Sequence, residues 1–357
     1  MSKKEPKVLV VATSRKTRGG ITSVVKSHEK GLQWKKYHCK WIETHRDGNN
    51  IRKVLYFFKA LLQFIILLPF YDIIHIHVAS YSSLRRKIYF LKLGKLLRKK
   101  TIAHFHPHKP EVIFEKSTQE KYINFFNTVD KIVVLSPQWQ RWISEALGIN
   151  EKVKVIFNPC PIVGEMEDKE ISNEKYILFA GTLYHRKGYD TLIKAFSKVS
   201  KKYPDWRVII AGNVKFSSES NLPNELVKEY NVENQISFPG WVVGEAKDKL
   251  FRNASVFCLA SSAEGFPMAV LDAWAYGVPV ICTPVGGLPD IVKDGENALV
   301  FEYGDVETLA FKIDEIISNN DLREKLSNES KLLAKTTFSL ERINKQIDDL
   351  YKEILNE

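Results

Sequence analysis

Short runs of β-branched and aromatic residues, separated by amphipathic segments, recur along this chain in two series, and that alternation constrains the fold more than any other feature. The first series is KVLVVAT (7–13), DIIHIHV (72–78), KTIAHFH (100–106), KIVVLS (131–136) and KVKVIF (152–157). The second is KYILFAG (175–181), WRVIIAG (206–212), QISFPG (235–240), ASVFCLA (254–260) and VPVICT (278–283). Apolar runs of this length alternating with helical segments are the pattern of parallel sheets covered by helices, so each series predicts its own doubly wound α/β sheet. A length of 357 residues, beyond what one core usually fills, agrees with two domains. Between the series, residues 158–174 (NPCPIVGEMEDKEISNE) combine prolines, a glycine and an acidic cluster without a period, which reads as a linker. From Ser339 onward Leu340, Ile343, Ile347, Leu350, Ile354 and Leu355 have helical spacing. The expected division is 1–160 and 161–338, with the helix 339–357 packing back on the first domain.

Composition narrows the class. With 44% hydrophobic and 27% charged residues the chain has the balance of a globular protein. Its net charge of +11 is uneven: residues 1–165 hold 30 Lys and Arg against 12 Asp and Glu, a net of +18, and the rest nets −7. A basic half suits nucleic acid, anionic lipid or a phosphorylated substrate. Cys39, Cys160, Cys258 and Cys282 lack zinc-type spacing and read as free thiols in a reducing compartment. The apolar run near the N-terminus is too short for a signal peptide, so a cytoplasmic location is expected. Val54–Phe70 approaches membrane-spanning length, but Lys59 and Gln63 interrupt it and Pro69 closes it, which predicts a buried helix. In 84–100 (LRRKIYFLKLGKLLRKK) eight of seventeen residues are basic and none is acidic. Leu84, Ile88, Leu91, Leu96 and Leu97 would form its packed side, leaving a basic face toward an anionic membrane.

Chemistry concentrates in SSAEGFPMAVLDAWAYGVPVI (261–281). A strand ends, Gly265 allows close backbone approach, and a helix starts near Pro267, so N–H groups and the positive helix end face the strand's carboxyl edge, a place suited to a pyrophosphate. Glu264 precedes the helix and Asp272 follows about two turns later. The segment resembles the E-x7-E motif of the retaining glycosyltransferases with the GT-B fold, two facing Rossmann-like domains around an interdomain cleft. In that family the first carboxylate contacts the donor sugar and the second the nucleotide ribose, which implies these roles for Glu264 and Asp272, the latter an Asp where the family has Glu. FAGTLYHRKGYDTLIKAF (179–196) is similar to the family's diphosphate-binding segment. Lys187 matches its lysine, while Thr182 stands in place of its arginine and Arg186 is the candidate substitute. RGGITSVV (18–25) resembles the N-terminal glycine loop, with Gly19 and Gly20 where phosphate or acceptor approaches, GGLPDIVKDGENALV (286–300) the G-G-x-P-E-I-V stretch with Asp290 for Glu, and FPGWV (238–242) the base-binding loop.

His75 and His77, and His104, His106 and His108, end two predicted strands and resemble the H-x-H signatures of a capsular and exopolysaccharide branch, with Pro107 where the branch has Gly. Counting from the strand start favours His106 as the residue facing the donor sugar. No Asp-x-Asp, P-loop or G-x-G-x-x-G occurs, so neither a metal, an NTPase nor a nicotinamide enzyme is implied, and no cofactor is expected. The resemblance therefore implies catalytic roles for Glu264, His106 and Lys187. Donor binding falls to Gly19, Gly20, Arg186, Lys187, Gly265, Phe266, Pro267 and Asp272. The expected partners are a nucleotide-sugar, UDP first, a glycan or polyprenyl-linked acceptor, and an anionic membrane at whose inner face the protein is held. Two other classes are weighed against this. A nucleotide-sugar-binding protein without turnover would fit the departures at Thr182 and Asp272, and a nucleic-acid binder would fit the basic half but lacks interleaved stacking aromatics.

Overall fold

The computed structural model describes residues 5–161, 174–214 and 221–356. Most of the linker, 162–173, lies outside the described residues. The chain forms two compact units, Met1–Pro159 with Leu340–Glu357, and Cys160–Ser339.

The first unit is built on β1 (Val8–Ala12), β2 (Lys40–Glu43), β3 (Ile73–Val78), β4 (Lys100–Phe105), β5 (Lys131–Val134) and β6 (Val153–Val155). Their order is β2-β1-β3-β4-β5-β6 and every pairing is parallel. The chain steps from β1 to β2 on one side and then crosses to β3 on the other, so the strand order reverses between β1 and β3. At such a reversal adjacent loops leave the carboxyl edge in opposite directions and open a crevice. The helix Leu340–Asn356 completes this unit: Ile343, Ile347, Leu350, Tyr351 and Ile354 share one core with Val10, Ile73, Ile102 and Val133. Its polar anchors are Asn344, 2.8 Å from both His28 and Gln33, and Glu353, which pairs with Lys131 at 2.9 Å and Lys154 at 3.0 Å.

The second unit holds β7 (Tyr176–Ala180), β8 (Arg207–Ala211), β9 (Ile236–Ser237), β10 (Val256–Leu259), β11 (Val280–Cys282) and β12 (Leu299–Val300), ordered β12-β11-β10-β7-β8-β9 and again parallel throughout. Here the reversal lies between β7 and β10. All ten runs read from the sequence are strands; β2 and β12 are additional. The cysteines are free, with Cys160, Cys258 and Cys282 buried and Cys39 half-buried.

Two helices of the first unit depart from expectation. Asn49 caps the helix Asn50–Leu67 by accepting from the Arg52 amide, but this helix is not buried as expected: Ala60 and Phe64 are its buried residues. Val54, Leu55, Phe58, Leu62 and Ile66 are all more than half exposed. The segment is apolar on two faces and the unit covers one. By length and composition alone, Asn50–Phe70 is also long and apolar enough to cross a membrane. On the helix Tyr81–Leu96 the core side is Leu84, Lys87, Phe90, Leu91 and Gly94. Leu96 and Leu97, expected to pack, are exposed, one the last residue of the helix and the other its cap. Lys87, one of the eight basic residues of 84–100, is buried.

Candidate functional site

In the second unit the strand reversal sets two loops side by side. After β7 the chain makes a single helical turn, His185–Lys187, then passes through Gly188 into the helix Tyr189–Val199. Gly188 has φ +67°, and a Cβ there would collide with the Ala260 carbonyl, so the close approach of the two loops requires glycine. After β10 the chain runs through Glu264 and Gly265 to Pro267, the cap of the helix Met268–Ala275. The Ser262 amide donates to the Arg186 carbonyl at 2.8 Å, and the Arg186 guanidinium donates to the Ala263 carbonyl and to the Tyr184 hydroxyl while lying over the Tyr184 ring. The Lys187 ammonium pairs with Glu264 Oε1. A third loop braces the same carboxylate-bearing turn: Gly286, φ +61°, rests on the carbonyls of Glu264 and Gly265, and the Gly287 amide donates to Gly265 at 2.9 Å.

Glu264 is thus 9% exposed, on a turn fixed from two sides, with a cation in contact. Phe266 is buried with its ring 5.3 Å from that of Phe338, which anchors the start of the following helix. That helix has no acidic residue in its first turn, so its positive end is not neutralised locally. Asp272 lies on the same helix, buried, 2.6 Å from Lys247 on the helix Glu245–Asn253. Burial raises the Asp272 carboxyl above its ordinary range, and Lys247 opposes that rise. Sequence reasoning passed over Lys247, whose segment carries no motif. Near the end of β8, Asn213 accepts from the Trp241 amide at 3.0 Å and ties down the FPGWV loop after β9.

The remaining predicted residues belong to the first unit. Gly19, φ +143°, and Gly20 open the helix Gly20–Glu29 after β1. His75 and His77 on β3, His104 on β4 and His106 just beyond it point to one side of the sheet as a stack, with neighbouring rings 4.3 to 5.3 Å apart. The Tyr351 hydroxyl lies 2.7 Å from His75 Nδ1, His75 Nε2 lies 3.2 Å from His104 Nδ1, and His77 Nδ1 lies 2.9 Å from His106 Nε2. Engaging Nε2 of His106 leaves Nδ1 as its atom for a ligand. His108 lies outside this stack, in the bend after Pro107. Ligand atoms of His75, His77 and His104 come within 4.8 Å of one another, yet the rings are near parallel and His75 already bonds His104. A tetrahedral zinc needs lone pairs converging at about 2.0–2.1 Å, which stacked imidazoles do not supply.

Residues 165–333 match the family model described as glycosyl transferases group 1. An uncharacterized glycosyltransferase of Haemophilus influenzae is 31% identical over 60% of this chain and 59% of its own length. A Campylobacter jejuni alpha-1,4-N-acetyl-D-galactosaminyltransferase, named for an acceptor on PP-undecaprenol, is 28% identical over 58% of this chain and 56% of its own. The chain therefore spans a little under three-fifths of the length of these relatives. Among solved structures, Anabaena Alr3699/HepE in complex with UDP superposes with a TM-score of 0.77 over 97% of this chain and 100% of its own, at 18% identity. That likeness is one of fold: two parallel-sheet Rossmann-like units, as in GT-B glycosyltransferases.

The histidine stack makes the first unit acid-sensitive. Burial lowers His75 to about 3, and His77, His104 and His106 well below the ordinary range, with neighbouring positive groups adding to the effect. The folded unit keeps these imidazoles neutral while the unfolded chain protonates them near 6.5, so stability is full above that pH and falls below it. For His75 alone the loss by pH 5 is on the order of 2 kcal/mol. Urea unfolding followed at pH 7.5 and pH 5.0 is expected to show a marked fall in the first unit's midpoint; equal midpoints would contradict a neutral stack.

Proposed function

We propose that this chain, whose residues 165–333 carry the glycosyl transferases group 1 domain, is a retaining glycosyltransferase of cell-surface polysaccharide synthesis. It moves a hexosyl or N-acetylhexosaminyl group from a nucleotide-sugar, UDP-linked, to a glycan or polyprenyl-linked acceptor. The observation that carries this proposal is the Lys187–Glu264 pair at the strand reversal of the second sheet. There one carboxylate and one cation sit where an open α/β sheet takes its ligand. The UDP in the name of the Anabaena structure and the PP-undecaprenol in that of the Campylobacter relative favour this donor and acceptor class.

In the proposed mechanism Glu264 accepts hydrogen bonds from the donor sugar's hydroxyls, and Lys187 turns from Glu264 to the diphosphate as the donor enters. Gly265, Phe266 and Pro267 present the start of the helix Met268–Ala275 to the same anion. As the sugar–phosphate bond breaks, negative charge grows on the leaving phosphate oxygen, where Lys187 and the helix terminus stabilise it. That oxygen takes the proton of the acceptor hydroxyl while the new bond forms on the same face, so configuration is retained. Asp272, steadied by Lys247, receives the ribose hydroxyls. Arg186 holds the Glu264 loop through Ala263, Gly19 and Gly20 admit phosphate or acceptor to the backbone, and His106 positions the reacting sugar. The charges are supplied by side chains and a helix end, without a metal.

The proposal extends to the inner face of a membrane. The exposed apolar stripe of the helix Asn50–Leu67 lies beside the basic helix Tyr81–Leu96, with the rings of Phe57 and Tyr89 5.8 Å apart. From Gly48 to Pro110 the single acid is Asp72, and it accepts from the Lys7 amide. An apolar stripe rimmed by cations fits the interface of an anionic bilayer, where each well-placed Lys or Arg adds about 1 kcal/mol.

Glu264→Gln is expected to lower kcat by about a hundredfold or more while UDP affinity changes by less than about threefold, because the lost contacts matter chiefly in the transition state. Steady-state kinetics with near-normal turnover would remove Glu264 from the reaction. Wild-type protein that binds UDP but neither transfers nor hydrolyses any UDP-sugar would instead be a binding protein. For the membrane, protein should sediment with phosphatidylglycerol vesicles, stay free of phosphatidylcholine vesicles, and lose binding with Phe58→Glu and Leu62→Glu together. Sedimentation indifferent to lipid charge and to that exchange would refute the surface.

A further inference from the structure

Lys87 is the exception among the buried cations of the first unit. Its side chain springs from the core face of the helix Tyr81–Leu96 and leans toward the helix start, as helical side chains do, which carries the ammonium back to the carboxyl edge of β3. Lys87 is 1% exposed, and its Nζ is 3.1 Å from the Ser83 hydroxyl. Other lysines drawn into this unit have acids: Lys131 pairs with Glu353 at 2.9 Å and Lys95 with Asp130 at 2.6 Å. Among the described residues no carboxylate lies within ion-pair distance of Lys87 or of its neighbour Arg86, and Arg86 Nε is buried without a hydrogen bond. Lysine is almost never fully buried unless paired, because an uncompensated ammonium loses its hydration.

The surroundings are uniformly suited to an anion. The Lys87 charge reaches His106 and opposes its protonation, and Arg86 and Lys87 both oppose that of His45. The acid in this neighbourhood, Asp47, is largely exposed and lies 3.8 Å from His45. No side chain caps the helix Tyr81–Leu96, since the Ser80 hydroxyl bonds to Ser82, so its positive end also faces this edge uncompensated. A guanidinium fork and a compact ammonium on successive residues together match a tetrahedral oxyanion.

We propose that Arg86 and Lys87 form a phosphate-binding subsite of the first unit that takes a phosphate group carried by the acceptor. This rests on the glycosyl-transfer function above, and it narrows the acceptor to a phosphorylated one, either a soluble sugar phosphate or a lipid-linked phosphate. Burial holds Lys87 at about 7, with Arg86 adding to the fall, so an arriving phosphate restores the full ammonium and relieves its missing partner.

The test is thermal unfolding of the whole chain in inorganic phosphate against sodium chloride at equal ionic strength, with and without UDP. Wild-type protein is expected to be stabilised by phosphate. Lys87→Met, close in volume, should be as stable as wild type or more so in chloride, bind phosphate about tenfold or more weakly, and keep its response to UDP. Arg86→Gln, at a half-buried position, should weaken phosphate in the same direction. An unchanged phosphate response in both variants, or none in wild type, overturns the subsite. If phosphate acts through Lys87 while UDP stabilises no form, the subsite stands and the glycosyltransferase function falls. N-acetylglucosamine 1-phosphate and phosphatidylcholine vesicles doped with undecaprenyl phosphate separate the two sources. Lys87-dependent binding of either supports the subsite, and Lys87-independent binding of both counts against it.

Discussion

A parallel sheet sends every chain connection out over its carboxyl edge, and a doubly wound one must reverse direction once, leaving two neighbouring loops that diverge. This single topological constraint is met twice here, between β1 and β3 and between β7 and β10. In the second unit it juxtaposes Lys187 and Glu264, 77 residues apart in sequence, and the glycines at 188 and 286 let the backbones approach closely enough for that contact. In the first unit the loops and helix beyond β1, β3 and β4 bring Gly19, Lys87 and His106 to one edge.

The two edges differ in electrostatics. At the second, each buried carboxylate already has a lysine, Glu264 with Lys187 and Asp272 with Lys247, so these two lysines become available only when a ligand displaces the acids. At the first, the histidines are held neutral by burial, and among the described residues neither Arg86 nor Lys87 has an acid within ion-pair distance. A ligand there supplies the missing negative charge.

Much of the fold was legible in the sequence because strands buried on both faces must be written as continuous apolar runs. β2 and β12 escaped notice for a physical reason. Both are edge strands, β2 bounded by Lys40 and Glu43 and β12 two residues long, and an edge needs neither length nor full burial. Glu264, Lys187 and Asp272 were legible as candidates through their motif order, but their partners were only partly so. Lys247 sits on a helix of ordinary polar composition, and its meeting with Asp272 depends on tertiary packing. The helix Asn50–Leu67, expected inside, is exposed, and Lys87, one of the eight basic residues of 84–100, is buried among that segment's apolar side. Periodicity tells which residues share a face, whereas the neighbour that covers the face is set by the rest of the chain.

The central claim is that the strand reversal of the second unit, through Lys187, holds a nucleoside diphosphate. Calorimetric titration of wild-type and Lys187→Ala protein with UDP and with uridine measures this directly. A charge-assisted contact to the diphosphate predicts that the substitution weakens UDP by about ten- to a hundredfold and leaves uridine nearly unchanged. Equal losses for both ligands, or UDP affinity untouched by the substitution, would contradict it.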